Sequence, residues 1–300
     1  MSEEPGLVSL SAVVVAAVIR EDVPAFNEAA GSLGEVIDEA DPAELDEAAA
    51  LFAAAMPQVG PRGVVAGEIL GTLVELGASP DLGPWVDRVS RAFEERWAEA
   101  DRWGAGLLGP LQQERVRRAP FDRERLASAA EKAAEEVESA HWLVGLLAVL
   151  DDERLVVLHP VSGRGFEITI GGIADNFQLH TLLAATVIGD ASSGLLLGTP
   201  PAPEWVAAAT DADPHPEGMT AHGQFNLVDA HGEWIWNEGR PAAIPVFDGR
   251  RVVVLEPLPY ERSWNAGRIY PDMVPTVRLD RVLPEDEATR WLSAVRPEQR

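Results

Sequence analysis

The sequence predicts an α+β protein, with an all-α helical bundle over residues 1–150 followed by an antiparallel-sheet α+β domain over residues 151–300. Apolar residues recur every three or four positions through the first half, which is the period of amphipathic helices. Short apolar runs bounded by glycine-containing turns fill the second half, which is typical of strands. A length of 300 residues also fits two domains of about 150 residues each.

The first half predicts six to eight helices whose ends carry local signals. Asp41, followed by a proline and then by Glu44, has the pattern of a helix N-terminus with a capping box. Gly77 predicts the end of a helix that begins near Pro61, because glycine adopts the left-handed conformation at helix ends. One long helix is expected over residues 122–150, since helical spacing of apolar residues continues through that stretch.

Three glycines, Gly63, Gly67 and Gly71, lie on one ridge of the helix that begins near Pro61. Each glycine costs about 1 kcal/mol relative to alanine inside a helix. We therefore expect a neighbouring helix to approach this ridge closely.

The second half predicts strands joined by tight turns, with one helix between them and one at the end. The predicted strands are residues 155–158, 166–170, 225–228, 234–236, 244–247, 251–255 and 277–282, and the predicted helices are residues 176–188 and 284–295. The clearest hairpin signal is Asp248-Gly249, because both residues tolerate the positive φ angles of a two-residue turn. Residues 189–203 are rich in glycine and proline and predict a loop.

The composition excludes several classes of partner. Acidic residues outnumber basic ones by 49 to 24, which gives a formal charge of −25. A field of that sign repels phosphate backbones and anionic membrane surfaces, so we predict neither a nucleic-acid nor a membrane partner. The apolar run 12–19 is also far shorter than the ~20 residues of a membrane span.

The chain contains no cysteine, which removes disulfides, thiolate metal sites and cysteine nucleophiles. The acidic N-terminus lacks the basic region of a signal peptide. Together these features predict a cytoplasmic protein.

No cofactor or metal is predicted. The glycine pairs are not followed by the strand–helix pattern of a dinucleotide or phosphate-binding loop, and the motif of a serine nucleophile elbow is absent. His215, His222 and His231, interspersed with Asp213 and other acids, match no standard zinc spacing. A polar loop is the simpler interpretation of that stretch.

Recognition chemistry is concentrated between residues 234 and 268, where Trp, Tyr, Asn and Arg stand in loops framed by glycine and proline. Aromatic rings provide rigid contact area, and arginine binds carboxylate or phosphate through two parallel hydrogen bonds. The predicted ligand-binding residues are Arg240, Arg250, Trp264, Asn265 and Arg268, together with Glu238. The structural alternative is a loop cap in which Trp264 fills the core while Arg262 or Arg268 binds loop carbonyls.

His180 is the candidate catalytic residue because it falls in the middle of a wide apolar helix face. Burial lowers the basicity of a histidine and a neighbouring carboxylate restores it, so a buried imidazole can be set for acid–base catalysis. Asp175 and Glu238 are the carboxylates predicted to orient it. The alternative is a core histidine whose hydrogen bonds are satisfied internally.

Five arginines surround residues 119–120 in the acidic first half. They are Arg115, Arg117, Arg118, Arg123 and Arg125. They either dock a carboxylate-rich partner or pair with the acids of their own domain, and we favour internal pairing.

Three segments of the second half resemble an uncharacterised family of actinobacterial proteins. These are residues 159–190, with the run Gly171-Gly172-Ile173-Ala174-Asp175-Asn176-Phe177-Gln178-Leu179-His180, and the runs Trp236-Asn237-Glu238-Gly239 and Ser263-Trp264-Asn265-Ala266-Gly267-Arg268. No activity is known for that family. The resemblance therefore implies only that these segments belong to one domain.

Two function hypotheses follow. The leading one is a cytoplasmic recognition or accessory protein that binds a protein partner or a small anionic ligand through its C-terminal domain. The alternative is an enzyme that uses His180 as general acid or base on an anionic substrate held by arginines. A purely structural subunit is a third interpretation, since nine tryptophans fit a homo-oligomer interface as well as a core.

Overall fold

A computed structural model describes residues 5–211 and 219–295 of the chain. The chain divides into two compact units, Met1–Leu147 and Ala148–Arg300, called here the N-terminal and C-terminal units. Helices are the only regular elements among the described residues of the N-terminal unit, whereas the C-terminal unit combines a six-stranded sheet with helices. The predicted α+β class is confirmed at this level.

Nine α-helices are described in the N-terminal unit, one more than the upper end of the predicted range. They are α1 (Leu7–Arg20), α2 (Val23–Val36), α3 (Pro42–Ala55), α4 (Val65–Glu75), α5 (Gly83–Glu94), α6 (Ala100–Gln112), α7 (Glu114–Arg117), α8 (Arg123–Ala133) and α9 (Glu138–Leu147). The capping box at the start of α3 is present, since Asp41 Oδ1 accepts from Glu44 N at 3.0 Å and Glu44 Oε2 accepts from Asp41 N at 3.3 Å. Gly77 follows the end of α4 with φ +125°, as predicted.

The prediction of a single long helix over residues 122–150 is wrong, because helix α8 ends at Ala133 and a separate helix, α9, begins at Glu138. A side chain from another helix fixes the new start: Asp101 Oδ1 accepts a hydrogen bond from Ser139 N at 2.8 Å. An ion pair of 2.8 Å between Arg96 and Glu136 lies at the break itself. The apolar spacing continues through both helices because each buries one face, so periodicity does not reveal the break.

The glycine ridge of α4 packs closely against α6, as expected. A Cβ atom on Gly71 would lie 2.7 Å from the carbonyl oxygen of Gly106. A Cβ atom on Gly67 would lie 3.0 Å from the ring of Trp103. Gly63 precedes the helix, which begins four residues later than the position expected from Pro61.

The five arginines between residues 115 and 125 contact groups of their own unit, and the predicted pairing with acids is seen for Arg118, which pairs with Glu114 at 2.8 Å, and for Arg125. Arg125 forms ion pairs of 2.8 Å with Asp87 and 3.2 Å with Glu94. Several of the others donate to backbone carbonyls near helix ends. These hydrogen bonds join Arg115 to Ala78, Arg117 to Leu111 and Gln112, and Arg123 to Leu147.

The C-terminal unit combines strands with helices. Its elements are β1 (Glu153–His159), β2 (Arg164–Gly171), α10 (Asn176–Val187), α11 (Pro203–Thr210), β3 (Thr220–His222), β4 (Asn226–Val228), β5 (Val246–Phe247), β6 (Arg250–Glu256), β7 (Ser263–Asn265), β8 (Thr276–Val282) and α12 (Glu285–Ala294). Six of the strands form one sheet with the order β4-β6-β1-β2-β8, in which β5 also pairs with β6. Strands β3 and β7 form a separate two-stranded sheet. Helix α11 and the strands β3 and β7 were not predicted. The strand predicted over residues 234–236 is wrong, because among the described residues that segment makes only a single bridge, between Trp234 and Val228.

The sheet is mixed, which corrects the prediction of an antiparallel sheet. Strands β1 and β6 run parallel, with Leu155 opposite Arg251 and Leu158 opposite Val254, while the other pairs are antiparallel. A parallel pair needs a long connection between its strands, and here almost a hundred residues separate them in sequence. Local patterns identify strands and hairpins but do not encode which distant strands become neighbours.

Residues 155–158 of β1 form an unbroken apolar run because both faces of the sheet are covered there. Leu155 and Val157 join one core with residues of α10, whereas Val156 and Leu158 join a second core with Ala288 of α12. A strand buried on both faces reads as an unbroken apolar run. The sheet is therefore the middle of three layers, with α10 on one side and α12 on the other.

The hairpin predicted at Asp248-Gly249 is confirmed. Both residues have positive φ angles, +49° and +74°, and they connect β5 to β6. The turn after β4 is held by Asp229, whose Oδ1 accepts from the backbone N–H groups of His231 and Glu233 at 2.8 and 3.0 Å. That turn returns the chain alongside β4 through a bridge between Val228 and Trp234.

The contrast between Gly71 and Gly31 gives a test of the α4–α6 contact. Gly71→Ala places a methyl group against a backbone carbonyl, so we expect the free energy of unfolding to fall by about 1–3 kcal/mol. Gly31→Ala, in α2 with nothing near its Cβ position, is the matched control and should raise it by up to about 1 kcal/mol. Urea unfolding measures both, and equal stability of the two variants would contradict the close approach.

Candidate functional site

A cavity of about 380 Å³ lies beside the N-terminus of α10 and is called here the aromatic pocket. Its lining residues are Phe177, Trp234, Trp236, Asn237, Glu238, Tyr260, Glu261, Arg262 and Ser263. Trp234, Trp236 and Tyr260 are unusually open to solvent, with 42%, 56% and 58% of their surface exposed. Large aromatic side chains in such positions mark binding surfaces more often than single exposed aliphatic residues do.

The first turn of α10 fixes one wall of the aromatic pocket. Asp175 caps the helix by accepting from Gln178 N at 2.7 Å. The backbone N–H of Asn176 donates to the carbonyl of Gly239 at 2.9 Å, and its side-chain Nδ2 donates to the carbonyl of Trp236 at 2.8 Å. The turn 236–239 is therefore attached to the helix at two points.

The two tryptophans of this wall point outward because the residue between them points inward. Ile235 is buried, and its N–H donates to the carbonyl of Leu227 in β4 at 2.9 Å. The rings of Trp234 and Trp236 meet edge to face, with centroids 5.2 Å apart. The indole N–H of Trp236 donates to Glu238 Oε2 at 3.0 Å, which holds that ring in one orientation.

The small sheet of β3 and β7 supports the opposite wall. Trp264 on β7 is buried against Phe177 and His180, with ring centroids 5.4 and 4.9 Å away. The carbonyl of Arg262 accepts from Gly223 N at 3.0 Å. These contacts anchor the segment 260–263, which carries the exposed Tyr260.

Arg262 joins the two walls. Its guanidinium carbon lies 4.5 Å from the ring centre of Trp234 and 4.9 Å from that of Tyr260, so both rings make cation–π contacts with it. Its Nη2 donates to Asn226 Oδ1 at 2.7 Å. The Nε and Nη1 atoms are buried and have no hydrogen-bond partner among the described residues.

Two amide oxygens near the turn 236–239 also lack partners. Asn176 Oδ1 and Asn237 Oδ1 are buried, and neither accepts a hydrogen bond from any described residue. The orientation of the Asn176 amide is set by the bond from its nitrogen to Trp236. A buried acceptor without a donor is costly, so an N–H or O–H donor from a bound molecule would stabilise each of these oxygens.

Of the residues predicted to form the site, Glu238 is the one that lines the aromatic pocket. The predicted ligand-binding residues outside the lining are Arg240, Arg250, Trp264, Asn265 and Arg268. Trp264 fills a small core, and Arg268, 8% exposed, donates to the carbonyl of Met273 at 3.2 Å. Both residues therefore behave as the loop-cap alternative predicted, in which Trp264 fills a core and Arg268 binds a loop carbonyl.

The remaining predicted ligand-binding residues are spread over the unit. Arg240 acts electrostatically on Tyr270: burial raises the pKa of that phenol to about 12 and the arginine opposes the shift. Arg250 begins β6 and donates to the carbonyl of Gly249 at 3.4 Å. Asn265 is exposed on β7.

The three predicted catalytic side chains each have a separate hydrogen-bond partner. His180 is 2% exposed, and its Nε2 lies 2.6 Å from the carbonyl of Phe225, to which it donates. Burial lowers the pKa of His180 to about 4, so the ring is neutral at pH 7. Asp175 caps α10 and Glu238 accepts from Trp236, as described above.

Sequence reasoning missed Trp234, Trp236, Tyr260 and Arg262 as site residues, although all four fall in the stretch it singled out. The spacing of these residues could have identified them. Trp234 and Trp236 are two positions apart, and so are Tyr260 and Arg262. Alternate residues of an extended segment share one face. Two such pairs therefore define two faces that can meet.

A larger cavity of about 690 Å³ lies in the N-terminal unit at the break between α8 and α9. Its arginine, Arg96, is paired with Glu136, and both side chains are mostly exposed. Because the guanidinium of Arg96 is already occupied by Glu136, this cavity is a weaker candidate than the aromatic pocket.

Within residues 5–211 and 219–295, no group of three or more His, Asp or Glu side chains is arranged to hold a metal ion. His222 packs against Trp205 and His231 against Phe247. His215 and Asp213 lie outside the described residues. The same described part of the chain has no helix that combines the length and the apolar character needed to cross a bilayer.

Comparison of the chain with models of protein families, with curated proteins and with solved structures found no match in any of the three.

The buried carboxyl of Asp175 gives a test with a defined sign. Burial raises its pKa to about 6, although hydrogen bonds from the backbone N–H groups of Gln178 and Phe177 oppose the shift. A carboxyl with a raised folded-state pKa stabilises the fold below its unfolded pKa and loses that contribution as pH rises through the folded value. The ionised form is therefore the costly one.

We expect Asp175→Asn to be more stable than the parent at pH 8 by about 1–3 kcal/mol, because asparagine caps a helix equally well without the charge. At pH 5 this advantage should be smaller by about 1 kcal/mol, because the folded-state carboxyl is then mostly neutral while the unfolded-state carboxyl is still mostly ionised. Thermal unfolding at both pH values measures the difference. His180 titrates equally in both proteins, so a pH-independent difference between them would contradict the assignment to Asp175.

Proposed function

We propose that the chain is a recognition protein whose C-terminal unit binds a protein partner through the aromatic pocket. The observation that carries the proposal is a cluster of three exposed aromatic rings, two of which contact one half-buried arginine while the third, Trp236, packs against Trp234. Tryptophan, tyrosine and arginine are the residues that dominate the binding energy of protein interfaces. The cavity supplies the concave centre that such residues line.

The rings are held in place before any partner arrives, which supports a binding role. Trp236 is oriented by its bond to Glu238, and Trp234 by its contacts with Trp236 and Arg262. Binding to a preorganised surface loses less side-chain entropy than binding to a mobile one. Fixed aromatic side chains in solvent are therefore suited to contact a partner.

A small anionic ligand, the other part of the leading hypothesis, receives less support. It requires cations directed into one cavity, whereas Arg240, Arg250 and Arg268 do not line the aromatic pocket. The arginine that does line it faces two rings and an asparagine.

The alternative function, an enzyme with His180 as general acid or base, also receives less support. Such a group must reach the proton it transfers, and its catalytic pKa should lie near the working pH. His180 has Nε2 bonded to Phe225 and a pKa of about 4, and it is not part of the pocket lining.

We place the recognition function in the cytoplasm because a chain without cysteine needs no oxidising compartment.

The proposal is tested by purifying the tagged chain with its bound proteins from its own organism after mild crosslinking. A partner identified by mass spectrometry is then purified and titrated against the parent chain. We expect Trp236→Ala to weaken its affinity at least about thirty-fold, the effect of an interface hot spot. Trp142→Ala, at an exposed tryptophan of the N-terminal unit, is the matched control and should leave the affinity unchanged.

Thermal unfolding of both variants accompanies the titration, because a damaged fold would imitate a lost contact. Trp236 is 56% exposed, so its replacement should change the melting temperature little. Equal binding by Trp236→Ala and the parent would rule out the aromatic pocket as the interface.

A further inference from the structure

Three groups that line the aromatic pocket have acceptor capacity that the chain does not fully use. Glu238 and Glu261 carry carboxylates, and Glu238 uses only Oε2 to hold Trp236. Asn237 Oδ1 is buried and has no donor among the described residues. A ligand that supplies N–H donors would satisfy all three groups.

The opposite chemistry is available at Arg262, whose Nε and Nη1 also lack partners among the described residues. The guanidinium of Arg262, however, already contacts the rings of Trp234 and Tyr260 and donates to Asn226.

The rings of the pocket already bind a guanidinium group. Trp234 and Tyr260 hold Arg262 at cation–π distances of 4.5 and 4.9 Å. Among the described residues, no cation lies over Trp236, although its ring is more exposed than that of Trp234. The pocket therefore combines an occupied cation site with a neighbouring aromatic surface of the same chemistry that is open to solvent.

The local and overall charges favour a cation as well. Two carboxylates and one guanidinium give the pocket lining a formal charge of −1. Residues 151–300 contain 12 basic and 22 acidic residues, a formal charge of −10, and the whole chain carries −25. Such a field attracts a basic segment at long range and repels an acidic one.

From these three observations we infer that the aromatic pocket takes a cationic side chain, an arginine in preference to a lysine, from a basic segment of the protein partner. The side chain stacks on Trp236 and donates to Glu238 and Asn237. Arginine is preferred because its planar guanidinium stacks on a ring while several N–H groups reach separate acceptors, whereas a lysine ammonium acts as a compact point charge. This inference rests on the proposed function and specifies the chemistry of the partner.

The test uses the full chain and four seven-residue peptides, acetylated and amidated, in which glycine alternates with three copies of Arg, Lys, Gln or Glu. Binding is followed by tryptophan fluorescence and by calorimetry at two salt concentrations. We expect the arginine peptide to bind most tightly and the lysine peptide more weakly, with no binding of the glutamine or glutamate peptide. Higher salt should weaken binding because the contacts are ionic.

Four variants separate the pocket from the general attraction of an acidic protein for a basic peptide. Trp236→Ala and Glu238→Gln should each reduce affinity for the arginine peptide at least about ten-fold, which is the effect of about 1.4 kcal/mol. Glu233→Gln removes an exposed charge that precedes Trp234 in the chain but lies outside the pocket lining, and Trp142→Ala removes an exposed ring elsewhere. Both controls should bind as the parent does.

The outcomes distinguish this inference from the proposed function. Equal binding of the arginine peptide by all variants would mean non-specific attraction and would overturn the inference. Tight binding of the glutamate peptide that depends on Trp236 would also overturn it, because Arg262 would then be the recognising group, yet the pocket would remain a recognition site. If no peptide binds, the inference fails, and the titration of the purified partner decides separately whether the proposed function stands.

Discussion

The candidate site depends on one constraint, the need to satisfy the N–H groups at the first turn of α10. A helix leaves its first N–H groups without intrahelical partners, and when they are buried they must find acceptors elsewhere. Asp175 accepts from Gln178, and the carbonyl of Gly239 accepts from Asn176. The hydrogen bond from Asn176 to Gly239 therefore holds the turn 236–239 against the first turn of α10. That contact forms one wall of the aromatic pocket. The Asn176 side chain adds a second attachment to the carbonyl of Trp236.

Burial determines what the titratable groups near this helix do. A histidine and an aspartate are residue types that often act together in catalysis. Here desolvation favours the neutral form of both, because it lowers the pKa of His180 to about 4 and raises the pKa of Asp175 to about 6. Each also holds backbone in place, the histidine at Phe225 and the aspartate at the start of α10. The side chains that a ligand can contact are the exposed rings of the aromatic pocket, together with Glu238 and Arg262. The core residues thus position the site without forming its surface.

Local signals predicted local structure well. The capping box at Asp41, the glycine at the end of α4, and the turn at Asp248-Gly249 all involve residues a few positions apart, whose interactions form wherever the segment is placed. Predictions failed where the structure depends on residues far apart in the chain, because local sequence does not encode those contacts. The break before α9 depends on Asp101 in α6, and the parallel pairing of β1 with β6 depends on strands far apart in the chain.

For the site, the sequence by itself determined the region and its chemistry: residues 234–268 hold the aromatic, acidic and arginine side chains, and Glu238 lies in the aromatic pocket. Which of those side chains face one another was decided only by the tertiary structure. Trp264 and Trp236 are the same residue type in similar loops, yet the first fills a core and the second stands 56% exposed. Composition fixes what a side chain can do, whereas its exposure depends on which distant surface packs against it.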